Sequence, residues 1–198
     1  MPSPPKTSDA EIVTATRRLL ERHGRDGFSL ADIAEAVGIR APSLYKRFAY
    51  RAALVSAVEL ELWRELSAAL AGASTSADPV QRLTAQAHAY RAFAKAHPRL
   101  YALIYDASAE HTEAGQRARA EAVAASLPAF VALVGERDAL VAARVLTPYI
   151  HGFVAMELAG AFRLGSGLDA AFSYGVATVL SGLRAQARSR KSRAHSKE

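Results

Sequence analysis

Apolar residues recur along the chain at intervals of three and four, and nowhere do they alternate with polar ones over the length of a strand. This pattern predicts helices only, broken by glycine, proline and serine. Ile12, Thr16, Leu19 and Leu20 form the inner face of a first helix over residues 9–23, with Ser8 as N-cap and Gly24 at its end. Leu30, Ile33, Ala34 and Val37 form the face of a second, short helix capped by Ser29. Gly38 closes it, because glycine enters the left-handed conformation without a Cβ penalty. A third short helix opens near Ala41, with Leu44, Tyr45 and Phe48 in register. Residues 51–70 form a long helix in which Leu54, Val58, Leu62 and Leu66 repeat every four positions. GASTSAD, residues 72–78, is a small-polar linker. Asp78 and Pro79 are cap and first residue of the next helix, which carries Leu83, Ala87, Tyr90 and Phe93 to residue 97. Further helices are predicted over residues 99–105, 112–134, 137–163 and 168–188, with bends at Pro128 and Pro148.

The stretch FSLADIAEAVGIRAPSLYKRF, residues 28–48, carries the most information. Two short helices meet at Gly38, and Ala34 is small where the second would press closest. That is a helix-turn-helix, whose second helix docks in the major groove of DNA. Arg40, Ala41 and Ser43 stand at the start of that helix, where side chains reach base edges. Arg40 suits a bidentate contact to guanine or a phosphate contact, and the methyl of Ala41 suits a thymine methyl. Ser29 is both a cap and a candidate phosphate ligand, since a helix N-terminus presents free N–H groups.

Residues 9–54 resemble the DNA-binding domain of the tetracycline-repressor (TetR) family of bacterial transcription regulators. The resemblance runs through DAEIVTATRRLLERHG, RDGFSLADIAEAVGI, APSLYKRF and RAAL, in that order, with LYKRF the most diagnostic tract. It implies that Tyr45 and Lys46 grip phosphates, although Tyr45 also shares a face with Leu44 and Phe48. It further implies a backbone contact from Arg51, where the family commonly has lysine. Phe48 is assigned to packing.

AYRAFAKAHPRLYALIY and LTPYIHGFVAMELAGAF resemble the WHG-type regulatory domain of one TetR subgroup, loosely over residues 89–183. His151 and Gly152 match the last two residues of that motif, and Thr147 stands where its Trp should be. His151 reads either as a buried core histidine or as a polar contact to a small molecule. Rings and hydroxyls mix in this region as they do in ligand pockets between helices. Tyr105, Tyr149, His151, Phe153 and Met156 are the candidate effector lining, enlarged by the missing Trp at Thr147. Glu157, a carboxylate in an apolar helix, needs a partner, for which Arg144 and Arg163 are candidates, as are a dimer mate and a ligand.

Charge and composition narrow the rest. Residues 1–51 hold nine Lys/Arg against six Asp/Glu, residues 52–183 ten against twelve, and residues 184–198 six against one. The basic excess sits at the two ends, as a phosphate-binding head needs, and the C-terminal excess reads as a solvated, disordered tail. The chain has no cysteine, which excludes disulfides, thiolate catalysis and Cys-based zinc sites. Its six histidines show no metal-ligand spacing, so no metal or cofactor is expected. No GxSxG elbow, Walker loop or GxGxxG turn organises chemistry, so an enzyme is not expected. The N-terminus has no apolar h-region, and residues 146–162 are too short and interrupted to span a membrane, which points to the cytoplasm.

The expected fold is all-α: a three-helix helix-turn-helix domain over residues 1–50, a ligand-binding and dimerisation domain over 51–188, and a basic disordered tail over 189–198. The expected function is a repressor that binds a palindromic double-stranded DNA operator as a homodimer and is released by a small apolar or aromatic effector. A ligand-independent DNA-binding regulator is the alternative. A helical-bundle enzyme or small-molecule carrier is the rival from another class.

Overall fold

The computed structural model describes residues 7–48, 50–105, 112–165 and 167–195. Among them run nine helices and no strand: α1 Asp9–His23, α2 Leu30–Ala36, α3 Ala41–Tyr45, α4 Arg51–Gly72, α5 Pro79–Ala96, α6 Pro98–Ile104, α7 Glu113–Val134, α8 Glu136–Leu158 and α9 Leu168–His195. They group into two compact units. The first comprises the described residues of Met1–Glu65 and His97–Arg119, the second those of Leu66–Ala96 and Ala120–Glu198. The unit boundaries therefore fall inside α4 and α7, where unbroken helical patterns give the sequence no seam.

In the first unit, local chemistry starts each helix where the sequence placed it. Ser8 Oγ accepts the Glu11 N–H at 3.2 Å while the Glu11 carboxylate accepts the Ser8 N–H at 2.6 Å. Ser29 and Asp32 repeat this capping box on α2, at 3.3 and 2.6 Å. Gly38 turns the chain with φ +68°, and the Ile39 N–H closes onto the Ala34 carbonyl at 2.9 Å. Ile12, Leu20, Phe28, Ile33, Leu44, Leu54, Val58 and Leu62 are buried. Leu19 is only half-buried; Val13 and Ala15 face inward instead. Arg99, at the start of α6, donates to the carbonyls of Glu21 and Arg22 at the end of α1, and His97 lies 3.1 Å from the Glu21 carboxylate.

In the second unit, α5, α8 and α9 bury Leu83, Ala87, Leu146, Ile150, Val154, Phe172, Val176 and Leu180. Tyr149 lies in the groove between α8 and α9, its ring centroid 6.4 Å from that of Phe172. A Cβ on Gly175 would stand 1.7 Å from the Tyr149 hydroxyl oxygen, so only glycine admits that ring in this position. Gly160 stops α8 at Leu158, short of the expected residue 163: its φ is +64° and its N–H bonds the Glu157 carbonyl at 3.0 Å. Pro128 and Pro148 lie inside α7 and α8, which continue through them. The tail expected to be disordered from residue 189 is helical to residue 195, and Arg190 pairs with Asp138. Ala, Gln, Arg and Lys dominate that segment, and all are strong helix formers.

Glu157 finds its partner on another helix than expected. Arg91 of α5 grips it bidentately, at 2.7 and 2.8 Å, and Lys95 adds a bond at 2.9 Å. The third arm of the Arg91 guanidinium reaches Asp169 of α9 at 2.7 Å, and the group stacks 5.0 Å from the Phe172 ring. Arg91 and Glu157 are both buried, with side chains 7% and 9% exposed. The hydrogen bonds from Arg91 hold the Glu157 carboxyl at about 2 instead of 4.5.

A depressed carboxylate stabilises the fold above its unfolded value and loses that stabilisation as pH falls through its folded one. Glu157→Gln is expected to cost about 1–3 kcal/mol at pH 7, allowing for screening at the edge of the cluster. Denaturant melts at pH 7 and near pH 2.5 check this: the gap between parent and variant should shrink at the lower pH. An equal gap at both would dissociate Glu157 ionisation from stability.

Candidate nucleic-acid interface and effector-lining residues

Helix α3 has five residues and one anchor. Leu44 is completely buried, which turns Pro42, Ser43, Tyr45 and Lys46 to solvent and leaves Ala41 half-buried. Arg40 is the N-cap position, extended at φ −77° and ψ 140°, with no side-chain capping bond, and it is exposed. Arg40, Ser43, Tyr45 and Lys46 thus stand together on the open side of the helix-turn-helix. Tyr45 is 54% exposed, which resolves its two readings in favour of the surface.

The adjoining cation of LYKRF behaves differently from Lys46. Arg47 turns inward, where its guanidinium donates to Asp9 and to the Thr7 carbonyl at 2.5 Å. It ties the end of α3 to the start of α1. Two neighbouring residues are equally basic in sequence, and only packing separates the outward from the inward one.

Two of the seven candidates are engaged elsewhere in the structure. The Ser29 hydroxyl is 2.8 Å from Asp32 Oδ2 and accepts the Asp32 N–H, so the first turn of α2 already holds a carboxylate. Arg51 lies over the Phe28 ring, 4.4 Å from its centroid, and 3.9 Å from Asp26. Its Nε and Nη2 are buried without a hydrogen-bond partner. Conversely, Tyr50, just before α4, is 54% exposed and no sequence pattern singled it out.

The five expected effector-lining residues do not form one group. Tyr105 belongs to the first unit, where its ring packs edge-on against Trp63 and Tyr101. Tyr149 and Phe153 belong to the second and share an aromatic cluster with Phe162 and Phe172, at centroid distances of 4.9 to 6.4 Å. Burial raises the Tyr149 hydroxyl and lowers the half-buried His151 imidazole from their ordinary values. His151 is therefore the neutral imidazole at neutral pH. Met156 is 48% exposed on α8. Thr147 is also exposed, so the missing Trp leaves no gap inside this unit. An open groove of the first unit, about 650 Å³, is lined by Arg17, Arg18, Arg22, Glu61 and Glu65 among others. Its charges compensate one another, with Arg17 paired to Glu65, so it does not suit an apolar ligand.

Comparison with known proteins follows the same two-part division. The family model for "Bacterial regulatory proteins, tetR family" matches residues 12–58. That for "Tetracyclin repressor-like, C-terminal domain" matches residues 83–179, the region of the looser resemblance. The Bacillus subtilis (strain 168) protein named "Uncharacterized HTH-type transcriptional regulator YobS" is 26% identical over 173 residues, 87% of this chain and 90% of that one. A solved structure of a protein of unknown function from Rhodococcus sp. RHA1 has a TM-score of 0.78 at 25% identity, covering 92% of this chain and all of that one. A TetR variant from Acinetobacter baumannii AYE, solved in complex with minocycline, has a TM-score of 0.68 at 22% identity, covering 91% and 98%. Mycobacterium smegmatis BioQ has a TM-score of 0.67 at 21% identity, covering 91% and 99%. The last two likenesses are of fold alone. An all-helical chain with a helix-turn-helix near its start, matched by TetR models in both parts, belongs to the TetR family of DNA-binding transcription regulators and is not an enzyme.

Proposed function

We propose that this regulator is a cytoplasmic repressor that binds a palindromic operator as a homodimer and is released by a small apolar or aromatic effector. The observation that carries the DNA part is the outward face of α3, where Leu44 alone points in. In this reading residues 1–50 bind DNA: Arg40, Ala41 and Ser43 meet base edges, and Tyr45 and Lys46 meet phosphates. Ser29 and Arg51 support the head from within, one as a cap and one stacked on Phe28. Residues 51–188 regulate and dimerise.

The dimer reading is supported by α8 and α9. Leu140, Val141, Val145 and Met156 on α8, and Tyr174 on α9, are exposed in the single chain although their inward neighbours are fully buried. Helix α8 is also 23 residues long with a mean hydropathy of 1.4 in its most apolar window, enough by composition to cross a membrane. We assign that apolarity to a second copy of the chain, because Glu157 on the same helix is ion-paired to Arg91 and Lys95. Two such faces related by a twofold axis form a four-helix interface, and the same symmetry makes the operator palindromic.

The effector reading is supported by the mixed rings and hydroxyls around Tyr149, His151 and Phe153. A molecule with different affinity for the DNA-bound and free forms couples the two sites by about 1–3 kcal/mol. The ligand-independent alternative is favoured by the close fit of Tyr149 between α8 and Gly175.

Three outcomes are expected. On a DNA fragment selected by the chain itself, Arg40→Ala should cost about 1–3 kcal/mol at one base position and relax its specificity. Lys46→Ala should weaken all sequences alike and lower the salt slope by about one. Parent-like binding by both variants in a salt-dependent retention assay would remove α3 from the interface. Light scattering at micromolar concentration should give twice the chain mass, and Val141→Glu should shift it towards a single copy while keeping the helical circular-dichroism signal. A parent that stays monomeric would overturn the dimer. A thermal-shift screen of small apolar and aromatic compounds should yield hits that change DNA affinity and that Tyr149→Ala or His151→Ala abolishes. Hits indifferent to both variants would displace the effector from these residues.

A further inference from the structure

We propose that Glu59, Trp63 and Tyr105 form a recognition site for a monovalent organic cation bearing apolar groups, for which Arg119 is a resident stand-in. The proposal names an effector class, and only that role rests on the reading that a small molecule controls DNA binding. The site itself lies wholly within the first unit.

Glu59 is the reason to look here. It sits in the middle of α4 with 6% of its surface exposed. It receives one hydrogen bond, from Trp63 Nε1 at 3.3 Å, one helical turn along. No Lys, Arg or His among the described residues pairs with it. A buried carboxylate without a cation is expensive, and the other enclosed carboxylate of this chain, Glu157, has two.

The surroundings suit a cation. The Trp63 and Tyr105 rings meet edge-to-face, centroids 6.3 Å apart at 68°, and Tyr101 continues the set at 6.0 Å from Tyr105. Aromatic faces attract cations through their quadrupole, most strongly when desolvated. Arg119 of α7 already answers that attraction. Its guanidinium carbon is 5.8 Å from the Trp63 centroid and 5.9 Å from that of Tyr105. Yet Arg119 is an exposed side chain and does not pair with Glu59. One cation therefore uses the ring faces, and the carboxylate beside the indole N–H is left over. A ligand that carries its charge on an apolar body can displace Arg119 from the rings and place its charge against Glu59. A bare metal ion cannot use the rings in this way, and an anion meets Glu59 as a repulsive charge.

Trp63 is the only tryptophan in the chain, so its fluorescence reports this site directly. The probes are benzyltrimethylammonium and its neutral carbon isostere, neopentylbenzene, titrated into the full-length protein. Saturable quenching is expected with the cation, with at least tenfold weaker binding of the isostere. Glu59→Gln, which keeps an acceptor for the indole N–H, should weaken the cation at least tenfold and leave the isostere unchanged. Arg119→Ala, at an exposed position, should tighten the cation severalfold by removing the resident competitor. Equal affinities for the two probes, or cation binding indifferent to both substitutions, would overturn the site. Glu59-dependent binding that leaves DNA retention unaltered would uphold the site and remove its role as an effector site.

Discussion

The DNA-reading face of this chain stands on one enclosed side chain, Leu44, at the centre of a helix only five residues long. A helix so short has no stability of its own, since nucleation costs more than its few hydrogen bonds return. Its position is imposed from outside. Leu44 drives it into the core of the first unit, Gly38 sets the turn that leads to it, and Arg47 fastens its far end to Asp9. The residues left over, Arg40, Ser43, Tyr45 and Lys46, are outward because those others are inward. Recognition residues on a rigid support retain their geometry when DNA arrives, which is the condition for reading bases rather than merely adhering to phosphate.

The second unit is held by a different kind of interaction. Arg91 joins three helices with one planar group: bidentate to Glu157 on α8, single to Asp169 on α9, and stacked on Phe172. Such a cluster orients its helices more than it adds net stability, because desolvation offsets much of the attraction. With α5, α8 and α9 fixed against each other on their inner sides, the outer faces of α8 and α9 retain a strip of exposed Leu, Val, Met and Tyr. The contrast with Glu59 follows from the same chemistry: one buried carboxylate is fully matched within the chain and one is not.

What could be read in the sequence was local. The capping boxes Ser8/Glu11 and Ser29/Asp32, the turn at Gly38 and the fourfold repeat Leu54, Val58, Leu62, Leu66 each involve residues a few positions apart, and the structure places all of them as expected. What escaped was long-range or a question of phase. The partner of Glu157 lies 66 residues away on α5, beyond any spacing rule. Met156 and Thr147 belong to a helix apolar on two faces, where periodicity gives no preference for the inner one. Arg47 and Lys46 are chemically alike until packing assigns one to Asp9. The C-terminal tail was judged on charge, whereas its helix-forming composition carries α9 on to residue 195.

The central claim is that α3 of a symmetric pair of chains reads DNA. The most direct test is to pass fragmented bacterial genomic DNA over the purified full-length chain at physiological salt and sequence what is retained. The account predicts an inverted repeat whose half-site centres lie about 10 base pairs apart or a multiple of that, one helical turn per step. Retention without any shared sequence, or a single half-site with no mirror image, would contradict it.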